Sequence, residues 1–133
     1  MTERELVLDT SFLLGIFEKK VPVSLSHLLD LVPGARLVTL TSCLEELRVK
    51  ADGRDPAARS VLSSLPALEI EVRESSGPAD EAIVKYSSTG FGSRVVVTLD
   101  NALKNRCLER GVPVVYLRAG KRLVLEDPAK FRP

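Results

Sequence analysis

The chain of 133 residues contains no tryptophan, one histidine and two cysteines. Each scarcity narrows the possible functions. Cys43 and Cys107 form no CxxC pair, which argues against a zinc ribbon or a disulfide scaffold and suits a reducing compartment. With His27 as the only histidine, a zinc site built from His and Cys is disfavoured as well. The net charge is +1, so there is no global basic field of the kind that marks many nucleic-acid binders. Any such affinity must come from a local patch. No apolar run approaches the roughly 20 residues of a membrane span. The opening "MTERE" lacks a signal-peptide pattern, so a cytoplasmic setting away from membranes is expected. GxxxxGK[ST] is missing, which excludes a P-loop nucleotidase.

What is present is aliphatic. Hydrophobic residues make up 44% of the chain and aromatics only 5%, enough for one core over a single domain, 1–133. Strand-like runs fall at Leu6–Leu8, Leu37–Leu40, Leu68–Val72, Val95–Leu99 and Val112–Leu117. Several are apolar at consecutive positions, the pattern of strands buried on both faces of a parallel sheet. Helical patterns alternate with them, at Ser11–Lys19, Ser24–Leu31, Ser42–Lys50, Pro56–Leu65, Pro78–Ser88 and Asn101–Arg110, the last stopped by Gly111. The alternation predicts an α/β fold with a mainly parallel sheet. From about residue 119 the tail is expected to add a short edge strand at Leu123–Leu125. "STGFGSR" (88–94) precedes a strand, whereas a phosphate loop follows one, so it reads as a turn.

In open α/β sheets, ligands gather beyond the carboxyl ends of the strands. Asp9 follows the first strand-like run and Asp100 the fourth. Glu45 and Glu46 lie on the helix after the second, and Asp80 in the first helical turn after the third. Each acid also has a purely structural explanation. Asp9 and Asp100 stand where helix caps belong. Asp80 and Glu81 suit a helix N-terminus, and Glu45 or Glu46 suits a solvated face. Taken together, four acids at one edge repel one another by several kcal/mol at intermediate dielectric. A set of hard oxygen ligands without His or Cys is what Mg²⁺ or Mn²⁺ requires. One or two such ions activate water and stabilise the charge of phosphodiester hydrolysis.

The motifs resemble those of PIN-domain nucleases, nearly end to end. "VLDTSFLL" is similar to the family's first strand and acid, and "SCLEELRV" to its second motif, where the acid precedes Leu and selects Glu46. "ADEAIVKYS" is similar to the third, with Asp80. "VVVTLDNALKNRCLERGVPVVYL" is similar to the fourth, with Asp100 and a supporting Thr98. The resemblance implies a three-layer α/β/α sandwich with about five strands in order 3-2-1-4-5. It also implies a Mg²⁺- or Mn²⁺-dependent endoribonuclease with Asp9, Glu46, Asp80 and Asp100 as metal ligands and catalytic residues. Ser11 either holds a metal-linked water or caps a helix, and capping is slightly favoured. Thr98 is expected to orient a carboxylate.

Arg94, Lys104 and Arg106 are candidates for RNA phosphates, by charge rather than by reading sequence. For Lys121 and Arg122 a plain solvated surface is the commoner explanation. His27, on "SLSHLLDL", reads as structural, and Cys43 and Cys107 as buried, inert thiols. The resemblance further implies an RNA substrate, a homodimer, and either an antitoxin or an rRNA-processing partner. The tail "VPVVYLRAGKRLVL" tilts towards rRNA processing. The competing class is a non-catalytic PIN fold that serves as an RNA-binding or scaffold subunit. A haloacid-dehalogenase phosphatase needs a second acid two residues after Asp9, where this chain has Ser11.

Overall fold

The computed structural model describes residues 4–19, 24–90 and 93–128. Six strands form one sheet in the order β3-β2-β1-β4-β5-β6. The strands are β1 (Glu5–Leu8), β2 (Arg36–Leu40), β3 (Ile70–Arg73), β4 (Arg94–Val97), β5 (Val114–Arg118) and β6 (Arg122–Glu126). The helices are α1 (Thr10–Phe17), α2 (Leu25–Leu31), α3 (Thr41–Asp52), α4 (Pro56–Ser64), α5 (Ala79–Ser88) and α6 (Asn101–Glu109). The pairings from β3 to β5 are parallel, and only β5–β6 is antiparallel.

The run Leu6–Val7–Leu8 is apolar throughout because β1 is central and covered on both faces. Leu6 and Leu8 point into one core with Phe12, Leu47 and Val61, from α1, α3 and α4. Val7 points into the other, with Ile83, Leu103 and Cys107, from α5 and α6. These two cores on opposite faces of one sheet are the three layers of the sandwich. All three β1 side chains are fully buried. Burial of this kind stabilises the fold by about 1.5–3 kcal/mol per large aliphatic side chain. Among the described residues no helix is long and apolar enough to cross a membrane.

The sixth strand is the edge strand expected of the tail, which runs back along β5 from Arg122 to Glu126. Two strands start later than their apolar runs. Leu68 and Glu69 belong to a turn, with Ile70 N–H donating to Leu65 O at 3.0 Å and Glu69 at a φ of 57°. Val112 is spent on closing α6, donating to Cys107 O at 2.9 Å. The third helix runs on to Asp52 and stops at Gly53. Ser24 is the N-cap of α2, and its N–H donates to His27 Nδ1 at 2.9 Å. His27 is therefore a solvent-facing cap rather than part of an apolar face. Within "STGFGSR", Phe91 and Gly92 lie outside the described residues, as do Met1–Glu3 of "MTERE" and residues 129–133 of the tail.

Candidate active site

Asp9 ends β1 at the N-cap position of α1, yet its side chain makes no capping bond. Instead, Oδ2 accepts from Ser11 Oγ at 2.6 Å and from Thr98 Oγ1 at 2.8 Å. Those hydroxyls accept in turn from backbone N–H groups at the end of β4. Leu99 N–H donates to Ser11 Oγ, and Asp100 N–H to Thr98 Oγ1, both at 3.0 Å. A hydroxyl has a single proton to give, so both protons are committed to Asp9. Ser11 thus orients Asp9 rather than capping α1, and Thr98 fills its expected role.

Asp9 is 4% exposed, and no Lys or Arg pairs with it among the described residues. Burial pushes its carboxyl up and the two hydroxyl bonds pull it down. The negative charge of Asp80 pushes it up again, and the net direction is up. Asp80 sits half-buried in the first turn of α5, with Glu81 exposed beside it.

Glu45 and Glu46 both line a cavity between α3 and α5, but they take different partners. Thr10, buried beside Asp9, donates its hydroxyl to Glu46 Oε1 at 2.8 Å. Glu45 turns to Arg48 at 2.8 Å on the surface of α3. Asp100 does cap α6, accepting from Ala102 N–H at 2.8 Å and Leu103 N–H at 3.2 Å. Both bonds fall on Oδ1, so capping occupies one oxygen.

Thr10 and Ser75 escaped the sequence reading. Thr10 looks like an ordinary first helical residue. Ser75 lies in the loop before α5, and its Oγ accepts from Ser42 N–H at 3.0 Å and contacts Ser42 Oγ at 2.7 Å. Its own N–H donates to Thr41 Oγ1 at 2.9 Å. This clasp ties the loop that delivers Asp80 to the helix that carries Glu46. No local pattern marks it, because its halves are 33 and 34 residues apart.

A cavity of about 440 Å³ opens between α3 and α5, lined among others by Ser42, Glu46, Asp80 and, from α6, Arg106. Asp9 and Asp100 are not on its walls. Among the described residues no three His, Cys, Asp or Glu side chains are gathered tightly enough to hold one ion as they stand. The donor set nonetheless suits a hard divalent cation. It offers only carboxylate and hydroxyl oxygens, and the buried Asp9 has no protein cation to balance it.

Lys104 lies on a different side of α6, its Nζ 4.5 Å from the centre of the Tyr116 ring. Arg94 is not brought to the acids. It starts β4, at the opposite end of the sheet, where Nε donates to Glu5 Oε1 at 3.1 Å and Nη1 to Tyr86 O at 2.7 Å. Its guanidinium also stacks 3.8 Å from the Tyr86 ring centre. Cys43 and Cys107 are buried. Burial, with Asp9 nearby, raises the Cys43 thiol, and burial pushes the Cys107 thiol up to about 12.

Residues 6–120 match the model of a PIN-like domain. The chain belongs to the PIN-like family. Ribonuclease VapC9 of Archaeoglobus fulgidus is 31% identical over 125 residues, covering 90% of this chain and 87% of that protein. Ribonuclease VapC4 of Methanocaldococcus jannaschii is 29% identical over 122 residues, covering 88% and 92%. Among solved structures, the PIN domain endonuclease Utp24 superposes with a TM-score of 0.72 at 18% identity, over 92% of this chain and 91% of that one. A domain of a functionally unknown protein from Methanocaldococcus jannaschii reaches a TM-score of 0.61 at 15% identity, over 91% and 96%. The latter two likenesses are ones of fold.

Proposed function

We propose that this PIN-like protein is an endoribonuclease that hydrolyses RNA phosphodiester bonds with Mg²⁺ or Mn²⁺ at Asp9, Glu46, Asp80 and Asp100. The observation that carries the reading is the state of Asp9. A carboxylate buried beside other acids, held by two hydroxyls and balanced by no protein cation, is costly unless a bound cation offsets it. The two VapC ribonucleases, similar over nearly their whole length, support the RNA substrate.

When bound, the divalent ion supplies a water of lowered pKa and a counter-charge for the phosphate. The chain's own residues do the rest. Ser11 and Thr98 fix the rotamer of Asp9, and Thr10 fixes that of Glu46. Ser75 and Ser42 hold the approach to Asp80. Arg106, on the cavity wall, faces the phosphate backbone as a counter-charge. Hydrolysis adds water across one P–O bond, so no protein nucleophile is consumed.

Within this activity, the toxin of a toxin–antitoxin pair is the reading that the VapC relatives favour. It shifts weight from rRNA processing, towards which the tail tilts. A small antitoxin protein is then the partner. The test incubates the protein with structured and single-stranded RNA plus Mn²⁺, beside Asp9→Asn. Cleavage that needs metal and Asp9 supports the nuclease. Identical behaviour of the two proteins sinks it in favour of a non-catalytic RNA-binding fold.

A further inference from the structure

The β5–β6 hairpin has its tip on the same side of the sheet as the acids. Val97 of β4 is level with Val115 of the parallel β5. Asp100 and Arg118 each lie three residues further along, towards the same end of the sheet, Asp100 beyond β4 and Arg118 as the last residue of β5. The chain turns back there through Ala119 and Gly120, with φ of 54° and 67°, the left-handed pair that a tight hairpin turn demands. Lys121 N–H closes the turn on Arg118 O at 3.0 Å.

This turn places Arg118 directly opposite Arg122 in the antiparallel ladder. Directly opposed residues share a face, and like charges there are destabilising. Both arginines are exposed, as is Lys121 between them, and no carboxylate pairs with any of the three among the described residues. Arg118 touches the Tyr116 hydroxyl at 3.4 Å, and Lys104 stands over the other side of that contact, above the Tyr116 ring. Glu126 joins this group through the tyrosine, accepting from Tyr116 Oη at 2.9 Å. Arg118 and Lys104 thus both meet Tyr116, and the hairpin tip follows β5, which lies beside β4 on the side away from β1 and β2.

We infer that the tip of the β5–β6 hairpin, Arg118, Lys121 and Arg122 with Lys104 beside them, is a grip for the phosphate backbone of RNA extending from the acid edge. This rests on the nuclease reading for the choice of RNA as the polyanion. Among the described residues no carboxylate pairs with the two arginines, and a strand of phosphates supplies that countercharge. Backbone phosphates carry no base identity, so the grip sets position and affinity, not sequence preference.

The test measures binding of a labelled single-stranded RNA by fluorescence anisotropy across a salt series. Asp9→Asn is the background, so that binding is read without turnover. The double change Arg118→Gln, Arg122→Gln is expected to weaken binding about twentyfold at 0.1 M salt and to lower the salt slope by about 1.4, the share of two phosphate contacts to a single strand. The control double change Arg36→Gln, Arg59→Gln removes the same net charge from the amino end of β2 and from α4, and is expected to leave both quantities near the parent. Restoring charge with Arg118→Lys, Arg122→Lys is expected to recover most of the affinity. Equal losses from the tip and control pairs, no loss from the tip, or no RNA binding at all would each overturn the grip. Tip-dependent binding with no cleavage by the unsubstituted protein would sink the nuclease reading and leave the grip standing. Cleavage with tip-independent binding would do the reverse.

Discussion

The hydroxyl of Thr10 donates to Glu46 Oε1 at 2.8 Å, joining the residue after the first acid to the second acid across 36 positions of sequence. Glu46 is otherwise on an exposed stretch of α3, free to sample other rotamers. Replacing Thr10 with Val keeps the shape and removes the donor. The expected outcome is an intact fold and a roughly tenfold loss of cleavage rate at subsaturating Mn²⁺, the scale of a lost orienting contact to a metal ligand. Thr10→Ser should retain most of the rate. A Mn²⁺ titration of the rate checks it. A Val variant with the parent's half-saturating concentration would show that Glu46 needs no such anchor.

Asp9 imposes a cost on the metal-free fold. Its folded-state pKa is raised, so in the pH interval between the unfolded and folded values the native protein holds a proton that the unfolded chain has released. Stability from this group is therefore full below the unfolded value and is lost as pH rises through the folded one. Asp9→Asn is expected to raise the metal-free Tm by a few degrees at pH 7 while abolishing cleavage. Mn²⁺ at about a hundred times its dissociation constant should stabilise the parent by about 2.7 kcal/mol and the variant by far less. Thermal melts with and without Mn²⁺ decide this. Equal metal-induced shifts in both proteins would mean that Asp9 is not a ligand.

Glu5 behaves in the opposite way. Burial pushes its carboxyl up, but the Tyr86 hydroxyl bond and the Arg94 and Arg73 guanidinium groups outweigh it, and the net direction is down. Its contribution is present above the unfolded carboxylate pKa and is lost as pH falls through the lower folded value. Glu5→Gln is expected to cost about 2 kcal/mol at pH 7, since Arg94 loses a partner in a half-buried setting. The gap from the parent should narrow in acid. Urea unfolding at pH 7 and pH 3.5 measures both. Arg94→Gln should likewise destabilise the fold and leave RNA affinity unchanged, as befits a residue at the far end of the sheet.

Both thiols should be silent in the native protein. Cys107, pushed up to about 12, and Cys43, also raised, carry almost no thiolate at pH 8. Ellman's reagent is expected to detect both cysteines in denaturant and neither without it. Rapid native labelling would mean that the layer under Asp9 opens readily.

The fold was legible because β1 and its neighbours are apolar on both faces, a pattern that only a sheet covered on two sides needs. The strand ends were legible too, since Asp9 and Asp100 directly follow apolar runs and fall at the N-cap positions of the next helices. Other features were not. Arg94 is basic and close in sequence to Thr98, yet a four-residue strand carries it to the opposite edge from Asp100. Ser11 sits where a cap belongs, and only the Leu99 N–H that it accepts, 88 positions away, ties it to the end of β4. The tilt of the tail said nothing of where a hairpin tip would point. That depends on the register of β5 against β4, which is set by tertiary pairing rather than by local preference.

The bonds that converge on Asp9 have a consequence for the timing of synthesis. Thr98, Leu99 and Asp100 reach the first acid only after β4 has docked beside β1. A chain still on the ribosome, with its first three strands made, has Ser11 but not Thr98 to hold Asp9, and lacks Asp100 altogether. On the role proposed for these acids, the nascent protein cannot cleave RNA until most of its length has emerged and folded.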